Sequence, residues 1–567
     1  MGLIDVKEAN CKNCYRCLKG CLVKSLKYQN NKVEVIEQQC VLCGHCIVAC
    51  EQKAKILVND VDRIKRMAKD PNCTTVVSLA PSFIAAYGLE NQGKVVAALK
   101  RLGFDYVEET SIGAYYVTLA YRKMVEEQKR DVILTTCCPT VNLYVTKYFP
   151  NLTHVLAPAV SPMVAHGQLI KKHYGPDTKV IFVGPCVSKL DESDKSPDVD
   201  GALTFGQVNE WMEQEGIFLE SQEPEPFDRH SNYSRIYPVQ EGILRDLQRT
   251  APKNDRYDYL SVSGLKNVKD LLGEIQSGQI HDCFIEVNAC NDACINGPMM
   301  PTHHKKVHSG RLQVQQYAGK ATAELDTQVP ESIYRTFTPE AVKSEIPGHD
   351  TIRSILAQIG KPTEEQELNC GSCGYPTCKD KAIAVYQGKA QLYMCMPYMY
   401  DISQTLANVT LSATPNYIIA VDETMKIKEF NLAAQELFQV SRSEVLQQYL
   451  FDFIDPSDFE EVIRTKQSIY NKKVRYDDLG ISTEQTIVYV QDQNLAIGIF
   501  QDITKEEKKS EKAYQRKLHS VEMAQKVIDK QMVVAQEIAS LLGETTAETK
   551  VTLNNLKRLI EDENDNE

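Results

Sequence analysis

The chain has 567 residues, of which 64 are Lys or Arg and 76 are Asp or Glu, so its formal net charge is −12. This acidic balance argues against generic binding to nucleic acid or to an anionic membrane surface. With 43% hydrophobic and 25% charged residues, the composition excludes a disordered or fibrous protein, and the length predicts roughly three to five domains.

The sequence contains 19 cysteines, an odd number, in a long chain without a recognisable export signal. This pattern argues against a disulfide framework and favours metal-bound or catalytic thiolates. No run approaches the roughly 18 apolar residues of a membrane helix. We therefore expect a cytoplasmic protein.

The first sixty residues carry the spacing C-x2-C-x2-C-x3-C twice, at Cys11, Cys14, Cys17 and Cys21 and at Cys40, Cys43, Cys46 and Cys50. The doubled run resembles a bacterial-type ferredoxin module with two 4Fe-4S cubanes. In that resemblance the fourth cysteine of each run belongs to the other cluster. One cluster then takes Cys11, Cys14, Cys17 and Cys50, and the other takes Cys40, Cys43, Cys46 and Cys21. Zinc held by C-x2-C pairs is the alternative.

Short apolar runs alternate with helical stretches between about residues 73 and 300, which predicts an α/β region with buried parallel strands. The clearest strand candidates are residues 76–79, 132–134, 180–183 and 284–287. Each candidate runs into a turn that contains proline or cysteine. Because ligands bind beyond the carboxyl ends of strands in open α/β sheets, these turns are expected to meet at one crevice that holds five thiols.

The turn sequences TTCCP at 135–139, PCVSK at 185–189 and FIEVNACNDAC at 284–294 resemble, in order, the three signatures of iron-only (FeFe) hydrogenases. The resemblance spans roughly residues 73–310. It implies a 4Fe-4S cubane bridged by a cysteine thiolate to a diiron subsite with carbon monoxide, cyanide and a dithiolate amine. The implied cubane ligands are Cys138, Cys186, Cys290 and the bridging Cys294. Lys189 matches the lysine that pairs with a cyanide, and Cys137 matches the thiol that passes protons.

The chain departs from that family along the proton route. Two relay glutamates are replaced by Tyr121 and Met124, and a relay serine is replaced by Ala157, so Cys137 alone remains of the usual chain. A relay needs titratable or hydroxyl groups within hydrogen-bond reach of one another. The substitutes considered are Glu126, Glu127, Glu286 and Asp292, although a solvated helix face is the simpler explanation for the first two.

A further cysteine group has the spacing C-x2-C-x4-C-x16-C, at Cys370, Cys373, Cys378 and Cys395. It resembles the small helical 4Fe-4S domain of corrinoid and carbon-monoxide-metabolising proteins, with a zinc knuckle as the alternative. Two remaining cysteines, Cys73 and Cys283, stand alone in apolar runs. They are predicted to be small buried hydrophobic residues.

Residues 403–507 contain no cysteine or histidine, and their apolar runs at 415–422, 427–431 and 500–504 resemble a PAS sensor domain. Such a unit would lack the usual haem ligand and the photoreactive thiol, so signalling by dimerisation or packing is expected. A heptad seam follows, interrupted by Gln525, and resembles a signalling coiled coil. One helix packed on its own PAS domain is the alternative. The seam residues are Tyr514, Leu518, Val521, Ile528, Met532, Ala535, Ala539 and Leu542.

The helix that carries the seam is expected to end at Gly543, and Thr545 with Glu548 predicts a capping box for a second helix. The complete chain is therefore expected to combine α/β and α+β domains. The expected domains are a two-cluster ferredoxin module at 1–60, a two-lobed α/β hydrogenase domain with parallel sheets at 61–345, a helical 4Fe-4S domain at 346–402, a PAS domain at 403–507 and a helical tail at 508–567.

The resemblances imply a slow, sensory iron-only hydrogenase that interconverts dihydrogen with protons and electrons and passes its redox state through the PAS domain. The implied partners are a ferredoxin or similar electron carrier, a kinase or phosphatase, and a second copy of the chain. Two alternatives stay open. One is a metabolic ferredoxin-linked hydrogenase, and the other is a non-catalytic iron–sulfur scaffold without the diiron unit.

Overall fold

The computed structural model describes residues 2–29, 32–58, 60–231, 233–250, 256–301, 306–319, 328–446, 448–539 and 547–562. The chain divides into two compact units, Met1–Met399 and Tyr400–Glu567. Among the described residues, no helix has both the length and the apolar character needed to cross a bilayer.

Two short antiparallel strand pairs frame the N-terminal cysteine repeats. Strand β1 pairs with β4, so that Ile4 lies opposite Leu57 and the two ends of the module come together. Strands β2 and β3 form the second pair. The elements are β1 Ile4–Val6, α1 Arg16–Gly20, β2 Leu26–Gln29, β3 Lys32–Val35, α2 His45–Val48 and β4 Lys55–Leu57.

The middle of the chain forms two separate parallel sheets. The first has the strand order β6-β5-β8-β9 and the second has the order β10-β11-β7. All four strands predicted from apolar runs are present, as β5, β7, β8 and β11. The strands are β5 Thr75–Leu79, β6 Tyr106–Glu109, β7 Val132–Leu134, β8 Lys179–Gly184, β9 Gly201–Thr204, β10 Asp258–Ser263 and β11 Cys283–Asn288.

Helices pack against these sheets and bury the β-branched and aromatic side chains that make the strands apolar. Val76, Val77, Ile133, Ile181 and Phe284 are fully buried. The helices are α3 Val61–Lys69, α4 Phe83–Tyr87, α5 Gln92–Arg101, α6 Ser111–Glu127, α7 Pro139–Tyr148, α8 Pro162–Tyr174, α9 Ser188–Asp194, α10 Phe205–Gln214, α11 Gly242–Thr250, α12 Leu265–Gln276 and α13 Val307–Ala318.

The segment that carries the third cysteine group is helical, as expected. Its helices are α14 His349–Ala357, α15 Cys378–Tyr386 and α16 Met396–Ala413. Tyr375 and Met394 from this segment share a small apolar core with Leu18, Leu26 and Tyr28 of the N-terminal module. The third cysteine group is therefore built directly against the first two.

The second unit contains a five-stranded antiparallel sheet with the order β13-β12-β16-β15-β14. Phe430, Phe459 and Phe500 fill its core. The elements are β12 Tyr417–Asp422, β13 Ile427–Phe430, α17 Leu432–Phe438, α18 Arg442–Val445, α19 Ser457–Thr465, β14 Ile469–Tyr476, β15 Ile481–Val490, β16 Leu495–Asp502, α20 Thr504–Ala539 and α21 Ala547–Asp562. The predicted seam residue Leu542, the helix end at Gly543 and the cap at Thr545 lie outside the described residues.

Candidate active site and iron–sulfur ligands

The turns after β5, β7, β8 and β11 line one cavity of about 110 Å³. The sequence led us to expect that these turns meet, and the structure brings them together from the two parallel sheets. Five of the thiols that line the cavity come from these turns: Cys137, Cys138, Cys186, Cys290 and Cys294.

Each thiol is held by the start of a helix or a tight turn. Cys138 directly precedes α7, whose first residue is Pro139, a residue that suits a first helical position. Cys186 lies between β8 and α9, and its Sγ is 3.2 Å from the Ser188 Oγ. Cys294 lies in a one-turn 3-10 helix, Ala293–Asn296, that follows β11. The strands thus set the positions of the thiols, and the turns aim them at one space.

Burial favours the neutral form of these thiols in the absence of a metal. It raises the pKa of Cys137 to about 12 and raises the pKa values of Cys138, Cys290 and Cys294. The negative charges of neighbouring cavity thiolates raise these pKa values further. A metal cluster would replace the protons and bind the thiolates. The site therefore fits a group that brings its own positive charge.

One buried cation faces this group of thiols. The charge of Lys189 on α9 opposes the burial-driven rise in the pKa values of Cys137, Cys138 and Cys294. Its Nζ also donates a hydrogen bond to the Glu192 carboxylate over 2.6 Å. A buried ammonium group is a natural partner for an anionic ligand.

The cavity wall also contains an unused donor. The Ser82 hydroxyl is buried and has no hydrogen-bond partner among the described residues. Apolar side chains, among them Pro81, Met163 and Phe182, form much of the remaining wall. Four thiols, a cation, a free hydroxyl and apolar walls fit an iron–sulfur group with anionic diatomic ligands. Ser82 belongs to the Ala-Pro-Ser turn after β5, so its position was visible in the sequence although its role was not.

Cys137 has a hydrogen-bonded neighbour, Tyr121, which the sequence analysis treated only as the replacement of a relay glutamate. The Tyr121 hydroxyl lies 3.3 Å from the Cys137 Sγ and accepts a hydrogen bond from the Thr136 N–H over 2.9 Å. It also lies 3.4 Å from the Thr136 hydroxyl, which donates to the Ala159 carbonyl. This series of hydrogen bonds therefore ends at a backbone carbonyl inside the protein.

The structure separates the suggested relay substitutes. Glu126 and Glu127 are exposed, and each forms an ion pair on the outer face of α6. Met124 and Ala157 are buried apolar residues. Asp292 is half-buried in the turn before Cys294.

Glu286 is buried, and its carboxylate accepts hydrogen bonds from the backbone N–H groups of Glu241, Ile243 and Leu244 at the start of α11. Burial raises its pKa to about 7, although these N–H groups oppose the rise. This carboxylate therefore anchors a helix N-terminus.

The N-terminal cysteines approach one another in two groups, each of which includes the fourth cysteine of the other run. Cys17 interacts electrostatically with Cys11 and Cys50, and Cys46 interacts with Cys40, Cys43 and Cys21. Cys14 is exposed in the loop between Cys11 and Cys17. Cys43 also lines the main cavity and interacts with Cys290. The second N-terminal group is therefore adjacent to the cavity thiols.

The third cysteine group surrounds a buried lysine. The Lys361 Nζ lies 3.5 Å from the Cys378 Sγ and 3.6 Å from the Cys395 Sγ. Its charge also acts on Cys370, and Cys373 interacts with Cys395. Lys361 is only 4% exposed. No spacing rule links a lysine to this motif, so the sequence did not indicate it.

The two isolated cysteines differ in part from the expectation. Both Cys73 and Cys283 are half-buried rather than fully buried. Cys73 lies in the turn before β5, and Cys283 is the first residue of β11, so each lies at the edge of a core. Neither lines the main cavity.

Comparison with known families assigns three segments of the chain. Residues 73–298 match the family described as iron only hydrogenase large subunit, C-terminal domain. Residues 366–397 match a family of Fe-S cluster segments, and residues 407–503 match the PAS fold.

The similar curated proteins include both hydrogenases and iron–sulfur assembly components. Iron hydrogenase 1 from Clostridium pasteurianum is 26% identical over 422 residues, which is 53% of this chain and 73% of that protein. The NADP-reducing hydrogenase subunit HndD from Solidesulfovibrio fructosivorans is 26% identical over 49% of this chain and 58% of its own length. Cytosolic iron-sulfur assembly component 3 from Bos taurus is 24% identical over 54% of this chain and 78% of its own length.

A solved structure of the FeFe hydrogenase HydA1 from Chlamydomonas reinhardtii, a variant form, matches with 16% identity and a TM-score of 0.40. The match covers 50% of this chain and 100% of that chain. The chain thus combines a hydrogenase-like α/β domain that carries iron–sulfur ligands, a second iron–sulfur segment and a PAS fold.

Proposed function

We propose that the chain is a cytoplasmic iron-only hydrogenase that interconverts dihydrogen with protons and electrons. The observation that carries the proposal is the meeting of five thiols and the Lys189 ammonium group at one cavity. The diiron–cubane group, when bound, would supply the site for dihydrogen and the storage of electrons. Three further cubanes, two in the N-terminal module and one at the third cysteine group, would complete the cofactor set.

In this proposal each side chain has a distinct task. Cys138, Cys186, Cys290 and Cys294 would hold the cubane, and Cys294 would also hold the diiron unit. Lys189 donates to an anionic ligand, and the Ser82 hydroxyl is a second donor. The Cys137 thiol moves the proton at its Sγ. The apolar wall excludes bulk water.

We further propose that the protein works slowly and as a sensor. The PAS fold and the long helix α20 follow the iron–sulfur segment along the chain, which is an order that suits a signal output. An electron carrier such as a ferredoxin would exchange electrons with the N-terminal clusters. A kinase or phosphatase would receive the signal from a dimer of this chain. A metabolic hydrogenase whose tail serves only dimerisation is the alternative.

A second candidate is a non-catalytic iron–sulfur scaffold, which the similarity to an iron–sulfur assembly component favours. Such a scaffold would keep cubanes but would not need a proton-carrying thiol or a cation for cyanide. The presence of Cys137 and Lys189 at the cavity supports the hydrogenase instead.

Infrared spectroscopy of the anaerobically matured full chain distinguishes the two candidates. A hydrogenase is expected to show bands of metal-bound carbon monoxide and cyanide, and these bands should disappear in Cys294→Ala but persist in Cys283→Ala. Their absence from the wild-type chain would contradict the proposal. Turnover with viologen dyes then tests the proposal of a slow sensor. Rates equal to those of metabolic hydrogenases would contradict it.

A further inference from the structure

A chain of buried hydrogen bonds starts at the cavity wall and does not involve any cysteine. Thr110 lines the cavity, and its Oγ1 lies 2.7 Å from the Ser78 Oγ. The Ser78 Oγ lies 2.8 Å from the His166 Nδ1. The His166 Nε2 lies 3.0 Å from the Glu108 carboxylate. Thr110 is 4% exposed, and the other three residues are fully buried.

Tertiary structure brings these four residues together from three elements and a turn. Ser78 and Glu108 are directly opposite each other on the adjacent parallel strands β5 and β6, so both side chains project from the same face of the sheet. His166 lies on α8, which packs on that face and bridges the two side chains. Thr110 follows β6 in the turn that leads into α6.

The end of this hydrogen-bonded series that lies farther from the cavity, at Glu108, is near the protein surface. Glu108 forms an ion pair with the Arg229 guanidinium at 3.5 Å, and the Arg229 side chain is 35% exposed. Tyr174 also lies beside Glu108. The neutral histidine that fits this arrangement donates its Nε2–H to Glu108 and accepts from the Ser78 hydroxyl at Nδ1. Each neighbouring pair is within the range over which a proton can transfer.

Two other hydrogen-bonded paths at the cavity stop at buried groups among the described residues. The route from Cys137 through Tyr121 ends at the Ala159 carbonyl, as described above. A second route runs from the Tyr237 hydroxyl to Thr118 over 2.6 Å and on to Asp246 over 2.8 Å. Asp246 is fully buried, and its carboxylate accepts a hydrogen bond from the Ser234 hydroxyl, which is also buried.

We propose that Thr110, Ser78, His166 and Glu108 form a proton path between the cavity and the surface near Arg229. The path rests on the proposed function, and it would take the place of the relay positions occupied by Tyr121, Met124 and Ala157. It makes Thr110 the residue that receives protons from the cavity, and it makes the other three residues carriers.

The transfer balances atom by atom. Thr110 Oγ1 takes the proton that the Cys137 thiol would release into the cavity, and it passes its own proton to the Ser78 Oγ. Ser78 passes its proton to the His166 Nδ1, and the His166 Nε2 gives its proton to the Glu108 carboxylate. One proton crosses and no electron moves. Glu108 then passes the proton to the hydroxyl of the half-buried Tyr174, its hydrogen-bond partner, which releases its own proton to water. Rotation of the hydroxyls and exchange of the imidazole tautomer restore the starting state.

The competing explanation is that His166 only fastens α8 to the sheet. A structural role affects the amount of cofactor and the equilibrium spectrum, whereas a proton path affects rates. The test therefore uses Thr110→Val, which removes a hydroxyl but keeps the shape, together with Thr110→Ser as the conservative variant. His166→Gln breaks the path at a second point. His173→Gln is the matched control, because His173 is an exposed residue on the same helix.

The matured full chain is followed by infrared spectroscopy after a sudden change of potential, in H₂O and in D₂O. Thr110→Val and His166→Gln are expected to keep the wild-type band positions and equilibrium populations. Their proton-coupled interconversion of bands should slow about tenfold or more, and the solvent deuterium isotope effect should increase. Thr110→Ser should recover most of the rate, and His173→Gln should behave as wild type.

The outcomes separate the two proposals. Wild-type rates in Thr110→Val contradict the path while the proposed function stands. Altered equilibrium spectra without a change of rate indicate a structural role and also contradict it. If His166→Gln does not fold, the comparison of Thr110→Val with Thr110→Ser still decides. Absence of carbon monoxide and cyanide bands from the wild-type chain would contradict the proposed function, and the path with it.

Discussion

Buried lysines accompany each group of cysteines in the first unit. Lys189 acts on the cavity thiols, Lys361 lies between Cys378 and Cys395, and the charge of Lys55 acts on Cys17 and Cys46. Taking an ammonium group out of water is costly unless anionic partners surround it. These lysines are therefore consistent with cysteines that function as thiolates, and they distinguish those cysteines from isolated thiols.

Iron content tests this distinction at the level of single residues. Cys378→Ala should remove about four iron atoms per chain, because one cubane loses a ligand. Cys283→Ala should remove none, since Cys283 lies apart from every cysteine group. Iron analysis of the reconstituted proteins measures the difference. Equal iron in wild type and Cys378→Ala would contradict a cubane at the third group.

The titration of Glu286 predicts a dependence of stability on pH. Burial raises its pKa from 4.5 to about 7, so the folded chain binds this proton more tightly than the unfolded chain does. Its contribution to the free energy of unfolding therefore falls as pH rises from about 4.5 to about 7.

Glu286→Gln should remove that part of the pH dependence. At neutral pH the variant should also be less stable than wild type by about 1–3 kcal/mol, because an amide NH₂ faces backbone N–H donors. Urea unfolding of the apo chain at several pH values measures both effects. The exposed residue Glu274 provides the control Glu274→Gln, and an identical pH profile in Glu286→Gln would contradict the assignment.

At the scale of elements, the site depends on how closely α6 and α8 approach. Gly113 of α6 lies against α8, and a Cβ at this position would come within 2.6 Å of the His166 backbone nitrogen. The absence of a side chain at Gly113 thus lets α8 carry His166 down to β5 and β6. Helices packed this tightly tolerate little added volume.

Gly113→Ala should therefore destabilise the chain by about 1–3 kcal/mol through overpacking. Gly273→Ala on α12 is the matched control, because a Cβ there meets nothing within 4 Å. The control should be stabilising by about 1 kcal/mol, since alanine favours a helix more than glycine does. Thermal or urea unfolding of both variants measures the contrast. Equal effects would show that α6 and α8 can separate without cost.

At the scale of the whole molecule, α20 is the element most suited to join two chains. It extends over 36 residues. Five seam residues are less exposed than most of their neighbours, namely Tyr514, Val521, Ile528, Met532 and Ala535, whereas Leu518 is exposed. The seam is apolar except at Gln525. A seam of this kind is typical of a two-stranded coiled coil.

We expect the full chain to be a dimer in solution, with a mass twice that of one chain by light scattering. Ile528→Glu places a charge in the seam and should give single chains. Ser520→Glu adds the same charge at an exposed position of the same helix and should leave the dimer intact. A wild-type chain with the mass of one copy would favour the alternative, in which α20 packs on its own PAS fold.

Local sequence patterns were sufficient for the elements whose signal is local. Four apolar runs predicted β5, β7, β8 and β11, because a strand buried on both faces needs such a run. Cysteine spacing predicted which thiols share a site, because cubane ligands come from tight turns. The domain boundaries and the roles of the site residues remain predictions from the same patterns.

Only the tertiary structure decided which distant side chains meet. The contact of Tyr121 with Cys137, the place of Lys361 and the hydrogen-bonded path through His166 all depend on strand register and helix packing. Ser78, Glu108, Thr110 and His166 have no common spacing that a sequence could reveal. By itself the sequence determined which cysteines cluster locally, since those clusters are visible as spacing, and it predicted the ligand sets from them. The route for protons was decided by the fold, since hydrogen bonds join residues by distance in space.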